Sequence, residues 1–259
     1  MKLAAIGTIL LLTFAASGPI PAQTGKFSHT RQLALPAAGI DQLIVECGAG
    51  SLYITNAEWQ DTIKVYAEVE GENISQSEQQ GFVEKNALLS LERAGRRAIL
   101  KSELKRSMRP PEDARINLTI DIPQEIGVYV NDSSGPIHLQ HISGPVEITD
   151  DSGPITLEKV VGSIRVADGS GQIIMEDIKG RVEVIDGSGS IEISRVSGAV
   201  RVTDGSGLIS IQYVEGNLTV TDKSGRIDIN DITGNVLIFE PGTGELNIER
   251  INGKVTIQN

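Results

Sequence analysis

Hydrophobic side chains recur through the second half of the chain on a two-residue beat, broken at regular intervals by glycine. From Gly135 to Gly234 a glycine falls every nine residues, and one inserted residue then shifts the beat to Gly244 and Gly253. Each glycine is followed by x-(Ile/Val/Leu)-x-(Ile/Val/Leu/Met), as in Ile137 and Leu139, Val146 and Ile148, or Ile191 and Ile193. Such alternation predicts a short strand with two side chains facing in. The turns between strands alternate in kind. One is polar: DDSG at 150–153, DGSG at 168–171, 186–189 and 204–207, DKSG at 222–225. The other carries one apolar residue ahead of its glycine: Ile142, Val160, Ile178, Val196, Val214, Ile232 and Ile251. The structural period is therefore 18 residues, with two strands and five apolar positions per rung. A unit this small cannot bury its own faces. It predicts an all-β parallel β-helix, or β-solenoid, of about seven rungs that is stable only as a stack. The glycines are expected at positive-φ corners, where other residues would be strained.

Stacking in register turns positions 18 apart into columns. One outward column reads Glu147, Arg165, Glu183, Arg201, an alternating ladder whose neighbours attract across rungs. A second, beside the apolar turn, reads Lys159, Asp177, Arg195, then Asp231 and Arg250 after a break at Tyr213. A third stacks like charges: Asp132, Asp150, Asp168, Asp186, Asp204 and Asp222, continued by Glu240. Two readings answer the repulsion. Either each aspartate accepts N–H bonds within its own turn beside a parallel ladder of serine hydroxyls, or calcium sits between carboxylates, with Asp150, Asp168, Asp186, Asp204 and Asp222 as candidate ligands.

Upstream, alternating β-branched residues predict strands at Leu43–Cys47, Ser51–Thr55, Thr62–Glu70, Ala87–Glu92, Arg96–Leu104 and Ala114–Ile122, with a loop or short helix at 71–86. Residues 126–130 open the solenoid proper. The expected organisation is a signal peptide at 1–22, a linker at 23–37, an N-terminal β-rich part with a hairpin-like insertion at 38–130, and regular repeats at 131–259. The signal peptide reads from Lys2, the apolar run Leu3–Ala16 and small residues at Gly18 and Ala22, the two cleavage candidates. It places the mature chain outside the cytoplasm, in the periplasm or on the cell surface, with no further stretch long enough to span a bilayer.

Composition narrows the function classes. Aromatics make up 3% of residues, so the core is aliphatic. The net charge is −11, and residues 131–259 carry 10 Lys and Arg against 19 Asp and Glu, which argues against a nucleic-acid partner. The segment Arg93–Arg109 is basic, and its end runs into the connector KRSMRPPED at 105–113, whose paired prolines forbid a central strand and which reads as a solvated hairpin tip, with a binding arm for phosphate or polyanion as the alternative. The single Cys47 has no partner for an intramolecular disulfide and sits in the apolar run LIVEC, as a buried thiol would. His138 and His141 lie three apart without an evident third metal ligand. The Gly-Ser-Gly triplets lack the strand–turn–helix setting of a nucleophile elbow. Glu158 and Glu176, or Asp228 and Glu249, are the carboxylates a polysaccharide-cleaving β-helix would use. No cofactor is expected, and no catalysis.

The opening IDQLIVECGAGSLYI, the segment INLTIDIPQEIGVYVNDSSGPI and the units VRVTDGSGLISI and VEVIDGSGSIEI resemble the bacterial "putative adhesin" family of β-strand-repeat domains of unknown function, over residues 38–259. The resemblance implies a right-handed parallel β-solenoid in the cell envelope and carries over no catalytic residue. The expected function is a non-enzymatic envelope module presenting a flat repetitive face to a glycan or protein partner, with Leu237, Phe239, Tyr213 and Ile185 as contact candidates. An end-to-end homodimer through the solenoid end is a further expectation. A calcium-stabilised scaffold and a polysaccharide-acting enzyme are the alternatives.

Overall fold

A computed structural model describes residues 24–57, 61–105, 112–123 and 125–258. The expected signal peptide and connector residues 106–111 lie outside the described residues. The chain runs β1 (Thr24–Pro36), β2 (Gln42–Glu46), β3 (Leu52–Asn56), β4 (Thr62–Ser75), α1 (Gln76–Asn86), β5 (Ala87–Ala94), β6 (Arg97–Leu104), β7 (Glu112–Ile122), β8 (Gly127–Asp132) and β9 (Ile137–Gln140), then thirteen further strands from Val146 to Gln258. They form two eleven-stranded sheets. The chain crosses between them at every corner, so each rung gives one strand to each sheet.

The 18-residue register is as the columns require. Val146 lies beside Ile164, and Ile164 beside Val182. Glu147, Arg165, Glu183 and Arg201 stand side by side, with Arg165 and Glu183 paired at 3.1 Å. The five apolar positions of a rung, for example Ile137, Leu139, Ile142, Val146 and Ile148, are all buried. Among the described residues Phe27 is the only buried aromatic, so the interior is a stack of aliphatic layers.

The N-terminal third departs from the repeat in two ways. The stretch 23–37, expected as a linker, is instead largely β1, paired antiparallel with β4 along its length. Its Phe27, Leu33 and Leu35 pack on the core, and the Phe27 ring meets Phe82 of α1 edge-on at 6.0 Å. Pairing satisfies a row of backbone groups that a linker would leave to water. The second departure is an interleaving. β2 pairs in parallel with both β6 and β8, and β3 with both β7 and β9. The β2–β3 rung is thus sandwiched between a rung made later, β6–β7, and the first regular rung, β8–β9. β1 and β4 extend one sheet antiparallel beyond β7, and β5 extends the other beyond β6, so this end of the stack is covered.

The expected positive φ is found at every beat glycine from Gly135 to Gly189 and again at Gly207 and Gly225, but not at Gly198, Gly216 or Gly234, and a second cause acts at all of them. Gly207 does lie at φ +145°, but a Cβ there would also stand 1.6 Å from the carbonyl oxygen of Gly189 on the preceding rung. Gly216 has no left-handed φ, and its Cβ would still come within 2.3 Å of the Gly198 oxygen. Clearance between rungs, together with positive φ where it occurs, keeps these positions glycine.

Replacing Gly207 by Ala therefore adds overpacking to backbone strain and is expected to destabilise by about 3 kcal/mol. Gly48, whose Cβ would meet nothing within 4 Å, should tolerate Ala with a change of less than about 0.5 kcal/mol. Urea unfolding of the two variants checks the contrast.

Candidate functional site

Two unlike corners carry the polar chemistry. At the polar corner, the last residue of each V-x-V-x-D strand keeps the inward phase, so the aspartate column is buried. Asp132, Asp150, Asp168, Asp186, Asp204 and Asp222 are between 0% and 7% exposed. Turn amides donate to one oxygen of most of them: Ser133 N to Asp132 at 2.8 Å, Ser170 N to Asp168 at 3.3 Å, Ser206 N to Asp204 at 3.2 Å and Ser224 N to Asp222 at 3.0 Å. At Asp150 and Asp186 the amides of Ser152 and Ser188 lean toward the carboxyl without reaching good hydrogen-bond geometry. Burial raises the pKa of every member. Asp150 is pushed up to about 7 by burial and by Asp132 beside it, Asp186 to about 6 by burial and by its neighbours Asp204 and Asp168, and Asp132 to about 6, mainly by burial.

Cys47 heads this column, because Glu46 pairs with Asn131 and the next residue therefore stacks on Asp132. Burial and the adjacent Asp132 push its thiol well above the usual range, which makes it a poor nucleophile. The serines do not form the expected ladder wherever their bonds are seen. Ser152 Oγ and Ser224 Oγ donate to backbone carbonyls of the preceding rung, Ser133 and Gly205. The column also ends at Asp222. Glu240, expected to continue it, is exposed, because the strand before it stops at Phe239 where the inserted residue loosens the corner.

At the other corner each rung from β8–β9 onward holds a non-glycine residue in the left-handed region: His141, Lys159, Asp177, Arg195, Tyr213, Asp231 and Arg250, at φ between 53° and 59°. Such a conformation costs a bulky residue on the order of 1 kcal/mol or more. The corner folds in behind these side chains, leaving an open groove of about 830 Å³ that passes over Ile178, Val196, Val214 and Ile232, whose side chains are buried in the core. One wall is the left-handed column and the other includes Lys179, Ser197, Glu215 and Thr233. The groove runs on toward the N-terminal end as a further 660 Å³ that shares Asp177 and Lys179 and reaches His141 and Asn56. Two forked ion pairs stand on the first wall. Arg195 Nε meets Asp177 Oδ1 at 2.5 Å, and Arg195 also contacts Glu176. Arg250 holds Asp231 through Nε at 2.8 Å and its second nitrogen at 3.2 Å. Tyr213 stands between the pairs and is 51% exposed.

The contact candidates do not form one patch. Tyr213 lies in the groove, and Ile185, 39% exposed, lies on the outer face of the opposite sheet. Leu237 and Phe239 are side by side on that same sheet but only half exposed, in register with Thr219 and Thr221. His138 and His141 separate as well. His138 packs edge-on against Tyr53 with ring centroids 5.2 Å apart, whereas His141 is at the groove corner. Glu158 and Glu176 stand on adjacent rungs, but Asp228 and Glu249 fall in different columns. Hydrogen bonding to Arg226 holds the Asp228 carboxyl below its usual range. No three His, Cys, Asp or Glu among the described residues converge as a metal site, and no described helix is long and apolar enough to cross a membrane. The groove was missed because nothing in residue type marks Lys, Arg or Tyr as left-handed. Its one signal was the break in the charge alternation at Tyr213.

Residues 32–232 match a family model described as Toastrack DUF4097. No curated protein matches the chain. Among solved structures, one from Bacteroides fragilis described as a "putative adhesin" aligns at 14% identity over 90% of this chain and 97% of its own, with a TM-score of 0.47. A "putative adhesin" from Parabacteroides distasonis aligns at 13% identity over 90% and 96%, TM-score 0.42. A "putative lipid binding protein" from the same organism aligns at 16% identity over 89% and 96%, TM-score 0.43. Similarity at this level says nothing about ligands.

The aspartate column has a pH signature. A carboxyl whose folded pKa is raised binds its proton more tightly in the folded state, so it favours folding while protonated. That contribution is lost as pH rises from about 4, where the unfolded chain ionises, to about 7, where Asp150 does. The thermal midpoint should therefore fall between pH 5 and pH 8, and Asp150→Asn should raise it at pH 8 and flatten the profile. A calcium-bridged column would instead give a midpoint that calcium raises at pH 8 and that Asp150→Asn makes insensitive to calcium.

Proposed function

The chain belongs to the Toastrack DUF4097 family, and from that premise we propose that it is an exported, non-enzymatic module of the bacterial cell envelope that holds an extended partner along its apolar corner. The observation that carries this reading is the groove. It is continuous over successive rungs, and its walls carry paired charges, the alkyl stems of lysine and arginine, and the exposed ring of Tyr213. Such a mixture of apolar surface with a few placed polar groups is what binding sites use to combine affinity with orientation.

Two features support binding rather than catalysis. Asp177, Arg195, Asp231 and Arg250 are bound to one another, so none stands as a free acid or base. The carboxylates with strongly raised pKa values are walled off at the opposite corner, where no substrate reaches them. Export is read from the N-terminal apolar run and its small-residue cleavage region. The flat outer sheet, first expected to carry the contact, offers Ile185, Leu237 and Phe239 dispersed among threonines, a weaker surface than the groove.

Co-sedimentation of the purified protein with envelope fractions of its host tests the reading. Retention is expected for the wild type, to fall about tenfold in Tyr213→Asn with Lys179→Glu, and to be unchanged in Leu237→Ser with Phe239→Ser. Loss of retention only in the outer-face pair would move the site to the sheet.

A further inference from the structure

The groove also limits the chemistry of its occupant. We propose that it is a saccharide site whose central subsite is the Tyr213 ring, and that the ligand is a neutral, hydroxyl-rich linear glycan. This assignment rests on the binding-module reading above and names the partner class for the same groove.

Tyr213 is the most exposed large apolar side chain of the described residues, in a chain with only 3% aromatics. It occupies a position that on neighbouring rungs belongs to charged residues, and it does so in a backbone region that disfavours bulky side chains. Retaining a strained, half-exposed ring at the centre of a groove is costly for the fold and useful for contact. An aromatic face packs on the C–H face of a sugar ring, leaving the equatorial hydroxyls free at its rim.

The groups to either side fit those hydroxyls. The Asp177–Arg195 and Asp231–Arg250 pairs hold donors and acceptors in fixed planes, one pair on each side of Tyr213. A vicinal diol donates and accepts at once, and so matches a carboxylate set beside a guanidinium. The same clusters argue against an anionic polymer, since Arg195 is met by both Asp177 and Glu176 and Arg250 by both Asp231 and Glu249, and the whole chain carries −11. A peptide strand is disfavoured for a different reason. The backbone at this corner is already bonded from rung to rung, as Ser197 N to Ile178 O, Glu215 N to Val196 O and Thr233 N to Val214 O, so no edge is open to a strand. Recognition must be by side chains. Rungs repeat at about 4.8 Å, so the four steps from Asp177 to Arg250 span roughly 19 Å, enough for several sugar units laid along the axis.

Calorimetric titration with cello-, xylo- and manno-oligosaccharides of two to six units, and with oligogalacturonate as the acidic comparator, tests the assignment. At least one neutral series should bind, with affinity rising from the dimer and levelling near the tetramer. Tyr213→Asn suits the left-handed backbone while removing the ring, and should cost about tenfold or more; Tyr213→Phe should stay within about threefold, and Ile185→Ser should leave binding unchanged. Thermal midpoints of the variants establish that each is folded. The assignment is overturned if no neutral series binds, if binding survives Tyr213→Asn, or if oligogalacturonate is preferred. Envelope retention that depends on the groove, together with an absence of neutral glycan binding, would overturn the glycan while leaving the binding module standing.

Discussion

The closeness with which one rung lies on the next governs the rest of this molecule. At both corners the backbone passes within van der Waals distance of the rung before it, so that a single methyl group at Gly189, Gly207 or Gly225 would penetrate the carbonyl oxygen below. No rotamer relieves a clash between Cβ and backbone. The corners are therefore pinned, and with them the strand register, because a slip of one residue would drive a side chain into each of these contacts as well as turning the core outward. Hydrophobic burial supplies the drive to stack, and the corners determine that stacking occurs in one register only.

Pinning the register also brings like charges together. A column of six buried carboxylates would be prohibitive if all were ionised. Two features lessen the cost. Turn amides donate to some oxygens, and burial shifts ionisation upward, furthest at Asp150, to about 7. The column begins at Cys47, whose neutral thiol ends the run of acids where the interleaved β2–β3 rung enters. The same residues thus serve the turn and carry a titration built into the fold.

The period, the rung length, the charge ladder and the five core positions could all be read from residues 135–253, because each is a local consequence of alternation and of an 18-residue column. What could not be read is non-local or runs against residue type. The β2–β3 rung lies between β6–β7 and β8–β9 through pairings as distant in sequence as Gln42 with Gly127, and no local pattern records them. β1 was obscured by its polar residues, although Phe27, Leu33 and Leu35 keep the alternating phase. The inward aspartates follow the phase of V-x-V-x-D just as the valines do, but a carboxylate invites a surface reading. The phase prevails because the strand cannot reverse its pleat for one residue.

The groove follows from the same rigidity. A left-handed residue at every apolar corner would be a liability in a flexible loop, where the chain could escape to a cheaper conformation. Here the neighbours above and below are hydrogen-bonded in place through Val161, Lys179, Ser197 and Glu215, so the strain is held by the stack as a whole. Since the backbone tolerates the conformation at each rung from β8–β9 onward, selection is free to choose the side chain displayed there. At the polar corner the aspartates and serines are committed to the turn and to the rung below, and the glycines admit no Cβ. The two corners therefore divide the work: one closes the coil, and the other, because its side chains point clear of the rung below, can carry His141, Lys159, Tyr213 or Arg250 at a fixed spacing along a preorganised surface.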